Sequence, residues 1–366
     1  MGKIKRTDLD LIRCFAIIFV ISVHGLSYVG FYELSNPSIT LFVCHLIRSI
    51  VIICVPLFLI LTGYLSAEKE YILSFKYLEK PFRLLVIYIV CALICSIPQF
   101  MRGEIKSFFV ALFEFKAAPY AWYLAMYFGL YLMIPFLNEF IAGKNGGEKS
   151  IFVLILLVTL PTVTNNCNFN SFEWWNGSKE QSSQLFPNYW DELYPIMYYM
   201  IGAFLKHNDA MANKLKNKKL LFVGTVFVFA TINYFKNYKT PFSWDWATSY
   251  GGYQCLIISV IFFCLLLGWD VKSKIMRRTI NSVAKYSFGM YLISWPIDIV
   301  VYKMIKIVLP QYNPILILPV TITIVFVCAY VCSIIVTKTA DIIIGQLGSF
   351  LYKLQKSPPQ PHLHAV

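Results

Sequence analysis

Leu9 to Tyr32 read LDLIRCFAIIFVISVHGLSYVGFY. The run is long enough for a helix to cross the hydrocarbon core of a bilayer, yet it carries Arg13 and His24. The two stand eleven residues apart. At about 100° per residue that is three turns plus roughly 20°, so both side chains fall on one helix face, about 16 Å apart along the axis. An ionisable residue inside such a helix is costly, and two on one stripe mark a polar path through the membrane half. Imidazole is also the side chain suited to proton transfer near neutral pH. Each residue has a plainer reading: Arg13, close to the helix start, can snorkel to the interface, and His24 can serve as a hydrogen-bonded packing residue. Their common face, with the segments described next, favours a functional role.

The rest of the chain has the same character. Of 366 residues 58% are hydrophobic and 14% charged, where a soluble domain carries about 25% charged. The class this predicts is all-α, a polytopic helical bundle in a membrane. Ten spans are expected, over 9–30, 40–66, 78–98, 121–142, 150–165, 191–206, 218–236, 250–269, 286–308 and 314–340. With the N-terminus inside, the inner loops hold 21 of the 32 Lys and Arg residues and the outer segments about nine. The positive-inside rule then places both termini in the cytoplasm. The net charge of +13 reads as topology, with contact to anionic membrane lipids as a second effect and no nucleic-acid partner. Residues 1–340 form the expected membrane domain, and 341–366, ending in the Pro-rich SPPQPHLHAV, a cytoplasmic and partly disordered tail. No cleavable signal peptide is expected, because the first span is long and no small-residue cleavage site follows it. The ten cysteines lie almost all within spans and read as packing thiols; no metal site is expected. The outer loop 166–190 is rich in Trp and Tyr, a composition suited to an interfacial belt and also to stacking on sugar rings. No phosphate-binding glycine loop, HExxH or GxSxG occurs.

Three further segments carry ionisable groups. Lys80-Pro81-Phe82-Arg83 puts two cations one turn apart at the inner end of the third span, with Pro81 expected at a first helical turn. On this topology they share a level with Arg13, and three cations at one level suit a phosphate; ordinary inner-flank anchoring is the plainer alternative. The second span holds His45 and Arg48 near its outer end, Pro56 as an expected kink and Gly63 as a point of close approach. The ninth, SFGMYLISWPIDIVVYKMI, holds Asp298 near mid-membrane. That carboxyl must face the bundle interior, with a cationic partner such as Arg48, or be protonated.

At these residues the chain resembles the integral-membrane acyltransferase-three superfamily, whose members O-acylate bacterial surface carbohydrates. Asp10-Leu11-Ile12-Arg13 followed at a fixed distance by His24 is similar to the opening helix of the family. VPLFLILTGYL resembles its second helix, with Thr62 for the usual Ser. Lys80 and Arg83 resemble a basic pair on the third, with Lys for the first Arg, and AWYL the aromatic start of the fourth. SFGMYLISWP resembles a further family segment, but Ser294 stands where many members have His; this leaves His24 as the candidate base. The resemblance covers nearly the whole chain. It implies an O-acyltransferase of the bacterial inner membrane that moves an acetyl group from cytoplasmic acetyl-CoA to a hydroxyl of a cell-surface carbohydrate or its glycolipid precursor. On this reading Arg13, Lys80 and Arg83 hold the CoA phosphates, and His24, with Arg13, is catalytic. Arg48, Trp122, Tyr123 and Asp298 serve the acceptor. General-base and acyl-histidine mechanisms are both open, as are the acceptor sugar, the acyl length and the oligomeric state. A transporter or flippase, with Arg13, His24 and Asp298 lining its path, and a non-catalytic membrane sensor are the alternatives from other classes.

Overall fold

A computed structural model describes residues 6–69, 74–142, 188–242, 248–309 and 315–356, with isolated positions between them. The described residues contain helices and no strand. In chain order the helices are α1 (Thr7–Tyr28), α2 (Ile39–Val51), α3 (Cys54–Ser66), α4 (Phe75–Cys95), α5 (Ile97–Met101), α6 (Ile105–Phe113) and α7 (Trp122–Ala142), then α8 (Tyr194–His207), α9 (Asp209–Lys216), α10 (Lys219–Lys236), α11 (Tyr253–Leu266), α12 (Lys274–Val308) and α13 (Leu318–Lys356). Short 3-10 turns occur at Phe31–Glu33 and Asn188–Leu193. By length and composition five segments can cross a membrane: Thr7–Tyr28, Ile39–Ser66, Trp122–Ile141, Lys219–Lys236 and Leu318–Ser349. The rest of the expected ten divide by cause. Charged residues along α4 and α12 lower their hydropathy, α8 and α11 are short at 14 residues each, and most of 150–165 lies outside the described residues. The aromatic loop before Asn188 also lies outside them.

The core forms around α1, which packs against α2, α3, α11, α12 and α13. Asp8 and Asp10 in its first turn suit the positive end of the helix dipole. Asp8 also accepts from the Gly268 amide (2.7 Å) and pairs with Arg6, whose guanidinium reaches the Tyr64 hydroxyl (3.1 Å). One end of α1 is thereby tied to α3 and to the turn after α11. At the periphery α10 and α13 leave much of their apolar surface exposed, as lipid-facing helices do.

Prolines shape three of the helices. The second span, expected as one helix kinked at Pro56, is two helices broken at Ile52 and Ile53. The proline has no N–H for the Ile52 carbonyl and its ring crowds that oxygen, so the break falls one turn earlier. The Cys255 thiol approaches the freed carbonyl at 4.0 Å. Pro81 is likewise not at a first turn: α4 starts at Phe75 under a Ser74 cap, which places Pro81 inside the helix. Here the carbonyl lost by proline is Tyr77's, and the Tyr131 hydroxyl donates to it at 3.2 Å. The relation is reciprocal. Pro135 in α7 frees the Tyr131 carbonyl, and the Tyr77 hydroxyl donates to that. The two rings stack with centroids 4.5 Å apart. Tyr131→Phe therefore removes the hydroxyl that serves a buried carbonyl and is expected to cost about 1–3 kcal/mol. It should cost little in a Pro81→Ala background, where an amide returns to the Tyr77 carbonyl. A double-mutant cycle of thermal unfolding in detergent measures this coupling, and additive effects would contradict it.

Elsewhere α3 and α8 cross with Gly63 against Gly202. A Cβ on Gly63 would overlap the Tyr199 carbonyl, and one on Gly202 the Ile60 carbonyl. Asn138 of α7 completes this contact. It donates to the Ser66 (2.6 Å) and Lys69 (3.0 Å) carbonyls at the end of α3 and accepts from the Tyr199 hydroxyl (2.6 Å).

Residues 99–120, which fall between the expected spans 78–98 and 121–142, contain most of α5 and all of α6. Each ends in a left-handed residue, Gly103 and Phe115 (φ 77° and 57°). The next amide closes the turn on a carbonyl five residues back, Glu104 on Gln99 and Lys116 on Ala111. This delivers the buried Tyr120 to the centre of the bundle. At the other end of the chain α13 runs on through the 340/341 boundary to Lys356.

Candidate functional site

The stripe of α1 that carries Arg13 and His24 faces two adjoining cavities. The first, about 350 Å³, is lined by Arg13 and Val20 of α1, Val55, Phe58 and Thr62 of α3, Lys69 just after it, Lys80 and Arg83 of α4, Tyr123 and Tyr127 of α7, and Lys285, Ser287 and Tyr291 of α12. The three cations expected together are together, and Lys69 and Lys285 join them. Two of the five are held by carboxylates: Arg13 pairs with Asp10, and Arg83 grips Asp341 of α13 through two bonds (2.9 and 3.2 Å). Lys80 donates to the Tyr127 hydroxyl at 2.9 Å and lies over the Tyr127 and Tyr131 rings. A cluster of this kind, in a concave wall, matches a polyanionic ligand.

The second cavity, about 390 Å³, is lined by Val20, Val23, His24 and Ser27 of α1, Tyr32, Cys54 and Val55 at the start of α3, Trp122, Tyr250 and Tyr291. Val20, Val55 and Tyr291 line both cavities and form the wall where they meet. The His24 imidazole lies flat on the Tyr120 ring, with centroids 3.6 Å apart and an 8° angle between planes. This contact fixes the ring plane and covers one face. The Tyr120 hydroxyl donates to Asp298 Oδ2 at 3.0 Å, and Asp298 is fully buried. Beside it Tyr28 stacks on Tyr302 (4.9 Å, 12°), and the Tyr302 hydroxyl occupies the place a Cβ on Gly25 would take. Gly25 therefore lets α1 approach α12 next to the imidazole.

Several expected positions change. Asp298 does face the interior, but its partner among the described residues is the Tyr120 hydroxyl and not Arg48. Arg48, 2% exposed, donates to the Thr248 carbonyl (3.2 Å), lies 4.5 Å over the Phe242 ring and meets the Tyr32 hydroxyl. Tyr32 lines the histidine cavity, whereas Arg48 stands behind it. The neighbours Trp122 and Tyr123 separate: Trp122 lines the histidine cavity and Tyr123 the basic one. His45 lies among Phe31, Tyr234 and Phe242 and lines neither. Sequence reasoning passed over Tyr120, Tyr291, Lys69, Lys285 and Asp341. Tyr120 and Tyr291 both lie in or beside quoted segments, in PYAWYL and SFGMYL, and their bulk gave no sign of which face they take.

The bundle thus sets a cation-lined cavity against one that holds a histidine, both on a helix long and apolar enough to cross a membrane. A family model described as an acyltransferase domain matches residues 6–337. The chain belongs to this acyltransferase-three family, and is a multi-pass membrane acyltransferase. No curated protein and no solved structure matches it.

Proposed function

We propose that this chain is an O-acetyltransferase of the cytoplasmic membrane, with both termini inside and ten spans. It takes the acetyl group from cytoplasmic acetyl-CoA and places it on a hydroxyl of a surface carbohydrate or its lipid-linked precursor. The observation that carries the reading is the pair of cavities meeting at Val20, Val55 and Tyr291, one lined by five cations and the other by His24. The basic cavity holds Arg13, which the basic bias of the loops puts toward the cytoplasmic side on this reading. Arg13, Lys80, Arg83, Lys69 and Lys285 bind the phosphates of CoA, and the thioester arm follows the α1 stripe toward His24, about 16 Å further along the helix. Trp122, Tyr32 and Tyr250 offer flat apolar faces and hydroxyls to a sugar, and Asp298 anchors the site through Tyr120.

The reaction exchanges a C–S bond for a C–O bond. His24 accepts the proton of the acceptor hydroxyl as its oxygen attacks the thioester carbonyl; CoA leaves as the thiolate, and the proton passes from His24 to it. Tyr120 holds the imidazole plane while this occurs, so the edge in the cavity stays aligned with the incoming hydroxyl. The transporter reading has less support, because the wall between the cavities is two valines and a tyrosine, each under a tenth exposed, with no charged side chain to carry a polar solute past it.

The test is acetyl-CoA turnover by the purified protein. Neutralising Arg13, Lys80 or Arg83 to Gln is expected to raise the KM for acetyl-CoA about 10-fold or more, since a hydrogen bond to a charged group contributes about 1.5–3 kcal/mol. Arg13 and Arg83 should matter more than Lys80, because a guanidinium grips phosphate in a fork while an ammonium acts as a point charge. Unchanged CoA affinity in all three variants would move the phosphate site elsewhere, to the vicinity of Arg277 and Arg278.

A further inference from the structure

We propose that Val20 and Val55, closed by the ring of Tyr291, set the length of the acyl chain this protein transfers, admitting an acetyl group and rejecting chains longer by two or more carbons. The inference rests on the acyltransferase reading above. A donor held by its phosphates in the basic cavity must present its thioester carbonyl to His24 in the other, so the acyl group has to lie at the wall the cavities share. That wall is buried and apolar apart from one hydroxyl: Val20, Val55 and Tyr291 are 4%, 5% and 7% exposed. Val20 lies on the α1 stripe one turn before His24, about 6 Å nearer Arg13 along the axis. Val55 stands in the first turn of α3, fixed from behind by the Ile52–Ile53 break and from beyond by the Gly63–Gly202 crossing.

Neither valine can step aside at small cost. A β-branched side chain in a helix is held to essentially one χ1 rotamer. The helices that carry them are anchored, α1 by Asp8 on the Gly268 amide and α3 by Asn138 at its end. A rigid apolar wall discriminates by size, and one methylene too many or too few changes rates about 10–200-fold in such pockets.

The experiment measures kcat/KM for acetyl-, butyryl- and octanoyl-CoA by release of CoA–SH from the purified full chain. Water or a sugar hydroxyl takes the acyl group, the thioester C–S bond breaks, a C–O bond forms, and the displaced hydroxyl proton ends on the thiol. The wild-type protein is expected to use butyryl-CoA at least about 100-fold less well than acetyl-CoA, and octanoyl-CoA not at all. Val20→Ala and Val55→Ala should each raise the butyryl-to-acetyl ratio about 10-fold or more, and Val55→Leu, which narrows the gap, should lower it. A misfolded variant loses all donors together, so the ratio separates selectivity from folding, and the Leu variant tests the wall in the opposite sense. Wild-type protein that uses octanoyl-CoA as well as acetyl-CoA overturns the inference, as do ratios that stay fixed in all three variants. Turnover of no donor at all overturns the acyltransferase reading, and this inference with it.

Discussion

His24→Ala is expected to lower acyl transfer about 10²- to 10⁴-fold in a protein that still folds. The imidazole lines a cavity rather than filling a packed gap, and among the described residues it makes no hydrogen bond that would be left broken. Its loss removes a stacking partner of Tyr120 and little else from the bundle. Asp298→Asn provides the contrast. The Asn keeps an oxygen to accept from the Tyr120 hydroxyl, so the stack on His24 persists, and hydrolysis of acetyl-CoA should survive at a detectable rate while transfer to the acceptor falls. Both are read by CoA release with and without acceptor, alongside thermal unfolding in detergent. Near-normal turnover in the Ala variant would remove His24 from the mechanism. Complete loss of hydrolysis in a well-folded Asn variant would make Asp298 part of the chemical machinery.

Gly63→Ala and Gly202→Ala are expected to be the most damaging changes to the fold itself. At each position the added carbon meets a backbone carbonyl of the opposite helix. A backbone cannot rotate away as a side chain can, so α3 and α8 must separate along their whole contact. The cost is about 3 kcal/mol, a large part of the 5–15 kcal/mol that holds a typical protein folded. Separation would also pull Asn138 from the end of α3 and move Val55, so activity should fall with stability. Gly129→Ala and Gly224→Ala, whose surroundings are open, are the controls and should unfold with the wild-type protein. If Gly63→Ala and Gly202→Ala unfold with them too, the crossing is looser than described.

The helical class and the membrane setting were legible because they depend on local quantities: apolar run length, charge density and the 3.6-residue period. The stripe joining Arg13 and His24 was legible for the same reason, and so was the level shared by Arg13, Lys80 and Arg83. What escaped the sequence lies between elements. That Pro56 breaks its helix at Ile52 and Ile53, while Pro81 and Pro135 leave theirs whole, depends on what takes over the freed carbonyl. Tyr131 and Tyr77 are supplied by the partner helix in each case, 54 residues away. Asp298 called for a partner and Arg48 offered one, yet a tyrosine hydroxyl took that place, because the segment between the third and fourth expected spans folds as α5 and α6 and carries Tyr120 inward. Trp122 and Tyr123 are neighbours in sequence and about 100° apart on a helix, so one side chain reaches each cavity; only the packing shows which.

The order in which the ribosome delivers these parts gives the α1–α12 contact a temporal meaning. Arg13 and His24 are made first, whereas Lys285, Tyr291 and Asp298 arrive after some 270 further residues. At about 5–20 residues per second that is roughly a quarter of a minute to a minute of synthesis. Throughout that interval α1 must hold its arginine and histidine among lipid and incomplete neighbours. The translocon charges about 2.5–3.5 kcal/mol for an arginine at mid-helix, less for one as near the start as Arg13, and returns about 0.3–0.6 for each Leu, Ile, Phe or Val. The density of such residues between Leu9 and Leu26 is therefore a requirement of birth as much as of the finished bundle. A chain cut short before α12 would carry Arg13 and His24 but lack Lys285, Tyr291 and Asp298, and so have no finished site.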